Sequence, residues 1–444
     1  MNMKEVLDRL AVHLSDVDHR AIVLTHSKID QIRFSRNKLD IGISYDETKF
    51  KVFLAKRYDG QRKTIEFEGS TEEDVLEKIN FFKFSLDKLP PNPLYGGMNE
   101  ISYSYPKPRY DEKLLEMDAK GAVEQAIEAA LSAGAKRVAG TLYIYDTETY
   151  LKTKFTEGYD RNVYASLSVR AFIDKTISGH RVNSVSKSSD FDPEETGRKA
   201  GEMAKLDNMN RIKVPAGKYK TILGPLAAAG LLGTIGRMTS AAAVVMGFSP
   251  FTFDKLGKKI ASEKFTFISS ADKEFIGYRL FDEEGVPVKE TKIFDKGTFK
   301  THLHSTSTAN LLKAKGIPAE PTGNAGILYP HARQLIVEPG DSSFEEMVEN
   351  VDRGLFVSNV RYTRFQSYVT GDFSTIPRDT FLYIENGKIK GSVRGLRLNG
   401  NVIEFLKNIR ALSKDRYPIY RREAEIPTVT PYLLVEDVAF TEAR

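Results

Sequence analysis

No cysteine occurs among the 444 residues. Disulfides, thiolate zinc sites and a cysteine nucleophile are therefore excluded, and the composition fits a cytoplasmic protein. Charge of one sign is also scarce: 65 Lys and Arg stand against 60 Asp and Glu, a formal net charge of +5 with no block of like charges. So small an excess over so long a chain argues against a nucleic-acid partner. No phosphate-loop pattern is present. The small-residue stretch Pro321–Gly326, PTGNAG, is not followed by Gly-Lys-Ser/Thr and reads as a structural turn. The N-terminal MNMKEVLDRLAVHL reads as an amphipathic helix and not as a signal peptide. Only Leu226–Phe248 is apolar enough to suggest a membrane span. It contains Thr234, Arg237, Thr239, Ser240 and several glycines, and alanine carries its hydrophobicity. A buried helix of a soluble domain is the better reading.

What is there describes an ordinary globular chain whose length suggests two domains. Met3, Val6, Leu7, Leu10, Ala11 and Leu14 keep helical spacing and predict a helix over Lys4–Leu14. β-like runs follow at Ala21–Thr25, Ile29–Ser35, Leu39–Tyr45 and Lys49–Arg57, and Asp59-Gly60 signals a turn before Lys63–Glu68. A helix over Glu72–Lys83 has Ser70 or Thr71 as its cap. The Pro- and Tyr-rich stretch Leu89–Tyr110 reads as a connector. Next come a helix over Asp111–Ala133, strands at Arg137–Tyr145, Tyr150–Glu157 and Val163–Ile173, a candidate strand at His180–Ser184, and a helix opened by Asp192-Pro193-Glu194-Glu195. Val214-Pro215-Ala216-Gly217 marks a boundary, giving domains of 1–214 and 215–444. Beyond the apolar helix, β-like runs appear at Phe265–Ser269, Ile276–Phe281, Lys289–Phe294 and Lys300–Leu303. Asn386-Gly387 and Asn399-Gly400 read as hairpin turns, and Val402–Ser413 as a helix. The fold class is α+β, with helices and strands in the first domain and a sheet or barrel around a buried helix in the second.

Four places could carry chemistry. Gly230, Gly233 and Gly236 recur every three residues along the apolar helix, close to one face. Glycine weakens a helix, so the spacing points to close approach of a backbone or a ligand. His302 and His304, two apart, would share one side of a strand and could share a metal if a third ligand came from elsewhere. Asp372, in Gly371-Asp372-Phe373-Ser374, either stabilises a turn or serves as an acid. Tyr-rich Tyr143–Tyr150 could stack on bases or simply fill a half-buried strand.

Taken in order, TILGPLAAAGLLGTIGRM, PTGNAG, VEPGDSSFEEMVENVDRGLFV, YVTGDFS, ENGKI and LNGN resemble the TldD/PmbA family, once called modulators of DNA gyrase. The likeness is strongest from Val214 onward, and GHRVNSVSKSSDFDPEETGRKAGEMA also fits. The resemblance implies a two-domain α+β protein in a two-type system. The TldD type is a zinc metallopeptidase whose helix bears His-Glu-x-x-x-His after two leucines, with a cysteine further on as a ligand. The TldE (PmbA) type has the fold without the motif, and the two form a heterodimer that degrades or trims small or unfolded peptides. After Leu231-Leu232 this sequence holds Gly233, Thr234 and Met238 at the motif positions. Those side chains replace two zinc ligands and the general base. Residues five apart on an ideal helix also diverge by about 140°, so the family motif needs a distorted turn or a helix end.

The resemblance thus implies a TldE-type subunit of a metallopeptidase complex, a pseudoenzyme inactive alone. No cofactor is expected in this chain, and zinc is expected in the TldD-type partner. Peptides are the expected substrates, and homodimers are expected when the partner is missing. One alternative is a hydrolase in its own right, built on His302, His304 and Asp372. Another is a regulator associated with DNA gyrase.

Overall fold

The computed structural model describes residues 2–270, 275–421 and 424–443. Its first half is a six-stranded antiparallel sheet of β1 (His19–Ser35), β2 (Lys38–Tyr58), β3 (Gln61–Gly69), β4 (Arg137–Thr153), β5 (Glu157–Phe172) and β6 (Ser178–Val185), in the order β3-β2-β1-β4-β5-β6. Runs expected as separate strands are continuous here. The polar residues that interrupt the apolar pattern stay in the ladder and pair across it: His26 lies opposite Thr48, and their side chains meet at 3.1 Å. Turns at Arg36-Asn37 and Asp59-Gly60 place both residues at positive φ, the geometry that matches strand twist in a tight hairpin.

Helices α1 (Met3–Val12), α2 (Glu72–Ser85), α3 (Ala119–Ser132) and α4 (Pro193–Asp207) supply apolar residues to two cores on the sheet. The first gathers Val6, Leu7 and Leu10 with Ile22, Leu24, Val52 and Leu54. The second gathers Val123, Ile127, Ala200 and Ala204 with Leu142, Ala165, Leu167 and Val169. Helix α3 begins at Ala119 and not at Asp111, because Asp118 caps it by accepting from the Gly121 N–H at 2.9 Å. Helices α3 and α4 approach closely: a Cβ on Gly197 would lie 2.0 Å from the Ala126 carbonyl oxygen. By strand alternation, Tyr143, Tyr145, Ser166, Ser168 and Arg170 point away from that second core.

In the second half, β7 (Gly217–Leu223) lies between Arg353–Ser367, parallel, and Leu433–Glu442, antiparallel. The ring continues through Leu396–Asn401 and Asp372–Glu385, and returns to Arg353–Ser367. Five strands thereby close a β-barrel, which removes free edges. A second sheet is built from Phe267–Ser269, Thr291–Asp295, Thr298–Phe299, Leu335–Val337, Ala424–Thr430 and Tyr417–Arg421. Helix α5 (Pro225–Met238) packs on both, as the buried central helix expected from its composition. Among the described residues no helix is long and apolar enough to cross a membrane.

Four further expectations are corrected. The apolar run breaks after Met238, and Ala241–Val245 is a separate short helix. Thr239 turns its hydroxyl back to the Gly236 carbonyl at 2.7 Å, while Leu303 takes up the backbone on either side. Ile276–Phe281 is no strand. Side chains of β5 satisfy its backbone instead, Asn162 donating to the Ile276 carbonyl at 2.7 Å and Asp160 accepting from the Leu280 N–H at 3.0 Å. Asn399-Gly400 lies within a strand, where the glycine lets the Phe373 ring come close, a Cβ meeting it at 3.0 Å. The helix at Val402 ends at Lys407, and Ile409–Leu412 pairs as a strand.

The turn Asp282–Gly285 fastens the two halves together. Glu283 pairs with Lys51 of β2 and with Arg333, each at 2.8 Å. The Asp282 carboxylate accepts the Glu284, Val286 and Ala325 N–H groups, each at 2.9 Å. Glu284 accepts the Thr306 N–H at 3.0 Å and is fully buried. Burial raises both carboxyls, and we assign the proton this buried pair keeps to Glu284, which has fewer N–H donors than Asp282. Burial first, and then the neighbouring Asp282 charge, push its carboxyl up to about 8. The fold holds that proton more tightly than the unfolded chain does. The stability from it is complete below the ordinary carboxylate range and is lost as pH rises through the pair's raised titration. Glu284→Gln is expected to remove most of the loss of stability between about pH 5 and about pH 9 and to melt above the parent at the alkaline end. Thermal melts followed by circular dichroism across that range check this, and an undiminished loss in the variant contradicts it.

Candidate functional site

Helix α5 starts at Pro225, whose missing N–H costs nothing at a first turn, after Gly224. Leu231, Leu232, Ile235 and Met238 enter the core with barrel residues Leu355, Val357 and Leu398 and with Phe267 and Leu335 of the second sheet. Each such burial is worth about 1.5–3 kcal/mol. Leu226 and Ala229 turn toward Val182 of β6 and Ile419. One strip of the helix is left over. Gly230, Gly233, Thr234 and Arg237 line a cavity of about 280 Å³ closed by Arg361, Tyr362, Arg421 and Glu425.

The glycines on α5 do different work. A Cβ on Gly236 would lie 2.4 Å from a methyl of fully buried Leu335, so that glycine permits close packing. A Cβ on Gly233 would meet nothing within 4 Å. Its absence leaves the cavity empty and holds nothing together.

The residues at the expected zinc positions do not fit a metal. Gly233 offers no side chain, the Thr234 hydroxyl leans on the Gly230 carbonyl at 3.4 Å, and Met238 is 2% exposed in the core. Arg237 adds a cation on the same strip and pairs with Glu425. No group of three or more His, Cys, Asp or Glu suited to a metal occurs among the described residues.

His302 and His304 do come together, with ring centroids 6.1 Å apart, but in a packed environment. His302 Nε2 donates to the Phe251 carbonyl at 2.6 Å, and the ring is edge-on to Phe253 and Phe299. His304 faces the Thr308 hydroxyl at 3.3 Å. Burial pushes the two down to about 4 and about 3, so both are neutral at pH 7. Asp372 is exposed and accepts from Asn401 at 2.9 Å and from Thr370. Neither histidine is among its hydrogen-bond partners.

A different cluster, scattered over the sequence, converges beside α5. His180 of β6 is buried, with Ser168 of β5 on one side and Asp379 on the other. The line Ser168–His180–Asp379 resembles a hydrolytic triad in outline only. The His180 Nδ1–Asp379 separation is 3.6 Å, too long for a hydrogen bond. Nδ1 instead faces N–H groups of Arg170 at 3.1 Å and Arg421 at 3.2 Å. We therefore assign the proton to Nε2, which donates to Ser168 Oγ at 2.9 Å. That nitrogen has no lone pair with which to activate the serine. Burial and the two guanidinium charges outweigh Asp379 and push His180 down to about 4. Burial works against ionised Asp379, but contacts with His180, Arg170 and Asn359 outweigh it and hold the carboxyl well below the usual range. Because His180 is neutral, we assign that effect to Arg170 at 3.1 Å and Asn359 at 2.7 Å.

Ser168, Arg170, His180 and Arg421 border a larger cavity of about 590 Å³ between the β4–β5 face and the second half, and Arg421 and Glu425 line both cavities. Sequence reasoning missed Ser168, Arg170, His180, Asp379 and Arg421 as a group. More than 250 residues separate the first from the last, and no local spacing links them.

Comparison with known proteins gives a consistent family. Residues 216–442 match the PmbA/TldA metallopeptidase C-terminal domain, and residues 106–206 match the PmbA/TldA metallopeptidase central domain. A metalloprotease of Methanocaldococcus jannaschii is 35% identical over 209 residues, which are 45% of this chain and 44% of that protein. A zinc metalloprotease TldD homolog of Saccharolobus solfataricus is 28% identical over 211 residues, 45% of each chain. The chain spans about half the length of the curated relatives it matches. The crystal structure of TldE from Thermococcus kodakarensis shares the fold, with a TM-score of 0.81 over 99% of both chains at 18% identity.

The two glycines are separable by experiment. Gly233→Ala is expected to stabilise the protein by about 0.5–1 kcal/mol, since α5 gains helix propensity and nothing is displaced. Gly236→Ala is expected to cost about 1–3 kcal/mol by overpacking Leu335. Denaturant titrations of both variants check the pair, and equal effects contradict the division of roles.

Proposed function

This chain belongs to the PmbA/TldA metallopeptidase family, and we propose that it is a non-catalytic, TldE-type subunit of a metallopeptidase complex. It pairs with a zinc-bearing TldD-type chain and helps to enclose a chamber in which small or unfolded peptides are cut. The observation that carries this reading is the cavity-lining strip of α5. Where a hydrolytic centre would need two metal ligands and a general base, the strip and its neighbours present a hydrogen atom, a hydroxyl already bonded to backbone and a buried thioether. The fold around α5 is complete without a metal, because core packing on the barrel and the second sheet holds the helix. We take residues 1–214 and 215–444 as two units of this subunit, working in the cytoplasm.

A hydrolase in its own right has less support. His302, His304 and Asp372 form no cluster, and His180 lacks a lone pair toward Ser168.

The test is reconstitution. The isolated chain is expected to cleave no unstructured peptide and to carry no stoichiometric zinc. Mixed with a TldD-type chain it should co-elute as one complex with chelator-sensitive peptidase activity. Peptide cleavage by the isolated chain, or no association with the TldD-type chain, would overturn the proposal.

A further inference from the structure

We propose that a small polar cavity at the junction of the two halves binds a free amino acid with a small side chain, Asp160 holding its ammonium group and Arg279 its carboxylate. The site is separate from the cleft beside α5, and the inference does not depend on the subunit assignment.

The first ground is place and size. Thr25 of β1, Thr149 of β4 and Asp160 of β5 follow one another across the ladder of the first sheet and share one face. Arg279, Phe281 and Glu283 of the second half lie against that face, and a cavity of about 180 Å³ remains between them. At about 30 Å³ of liquid volume per water, this is room for about six waters or for a molecule of about six non-hydrogen atoms, the size of alanine.

The second ground is a pair of opposite charges without charged partners in contact. Asp160 is 3% exposed. Its Oδ2 accepts the Leu280 N–H at 3.0 Å, while its Oδ1 is buried and has no hydrogen-bond partner among the described residues. A buried carboxylate oxygen in that state is costly until a donor meets it. Arg279 donates to the carbonyl of its neighbour Tyr278 at 2.6 Å and forms no ion pair among the described residues. The two side chains nevertheless feel each other's charge. Burial raises the Asp160 carboxyl and lowers Arg279, and each is the first influence opposing that shift in the other. The remaining charges on the walls are engaged. Glu283 pairs with Lys51 and Arg333, and Asp282 accepts three backbone N–H groups.

The third ground is what these two groups can accept together. A simple anion would meet Arg279 but be repelled by Asp160. A simple cation, a metal ion included, would face the guanidinium groups of Arg279 and Arg333. An α-amino acid carries an ammonium and a carboxylate on one carbon and suits both walls with charge-assisted hydrogen bonds. The Thr25 and Thr149 hydroxyls line the same space and can donate or accept beside them. Val23, Leu151 and Phe281 belong to one apolar cluster and border the cavity, which gives a small apolar side chain a place to rest. Because Asp160 stands on the first sheet and Arg279 in the second half, the ligand would bridge the two.

The experiment uses the full chain and isothermal titration calorimetry with three ligands. These are L-alanine, alaninamide, which lacks the carboxylate, and propionate, which lacks the ammonium group. L-Alanine is expected to bind at least about tenfold more tightly than either analogue. Saturating L-alanine is also expected to raise the melting temperature. Asp160→Asn keeps an acceptor for the Leu280 N–H and removes the charge, so it should close most of the gap between L-alanine and propionate. Arg279→Gln should close most of the gap between L-alanine and alaninamide. A merely structural role for either residue would not sort the ligands by charge in this way. Circular-dichroism melts within a few degrees of the parent show that a variant is folded. If a variant unfolds, the three-ligand comparison on the parent chain decides by itself. Equal affinity for the three ligands would overturn the proposal, as would a gap unchanged in folded Asp160→Asn. So would the absence of L-alanine binding up to about 10 mM, which would leave the cavity to water.

Discussion

Helix α5 is gripped on three sides, and the rest of the second half is arranged to grip it. The barrel supplies Leu355, Val357 and Leu398, the second sheet supplies Phe267 and Leu335, and β6 of the first sheet reaches it with Val182. Gly236 sets how closely the second sheet can come, because a single methyl there would collide with Leu335. This dense packing fixes the helix so that its fourth strip faces the cleft.

Electrostatics take over where packing stops. Guanidinium groups crowd the cleft beside the bare strip, and neutral His180 with buried Asp379 keeps two of them side by side. A low-dielectric interior makes such an arrangement costly unless each group is hydrogen-bonded, and Ser168, Ser178 and Asn359 provide those bonds. The same logic in a different place governs the junction of the halves, where Glu283 is paired twice and Glu284 keeps its proton.

Much of the local structure was legible in the residues. Apolar spacing located α1, the Asp192-Pro193 start located α4, and the Asp59-Gly60 and Asn386-Gly387 pairs were indeed turns with positive φ. The errors share a cause. Polar residues at 26–28 and 46–48 looked like strand ends because their partners lie on other strands. Ile276–Phe281 looked like a strand, although the groups that satisfy it are side chains of Asp160 and Asn162 more than 100 residues earlier. Asn399-Gly400 carried a turn signature, but Gly400 pairs with Phe373 across a strand ladder.

The sequence by itself determined the family likeness, the presence of a buried apolar helix starting near Leu226 and the replacement of the expected zinc donors by Gly233, Thr234 and Met238, since side-chain identity alone fixes which donors exist. Only the tertiary structure decided that His302 and His304 are packed away, that Gly233 opens on a cleft while Gly236 seals a core, and that Arg170, His180, Asp379 and Arg421 meet. The reason is physical: a site assembled from two sheets and a barrel strand depends on through-space distances, and linear spacing carries no record of those.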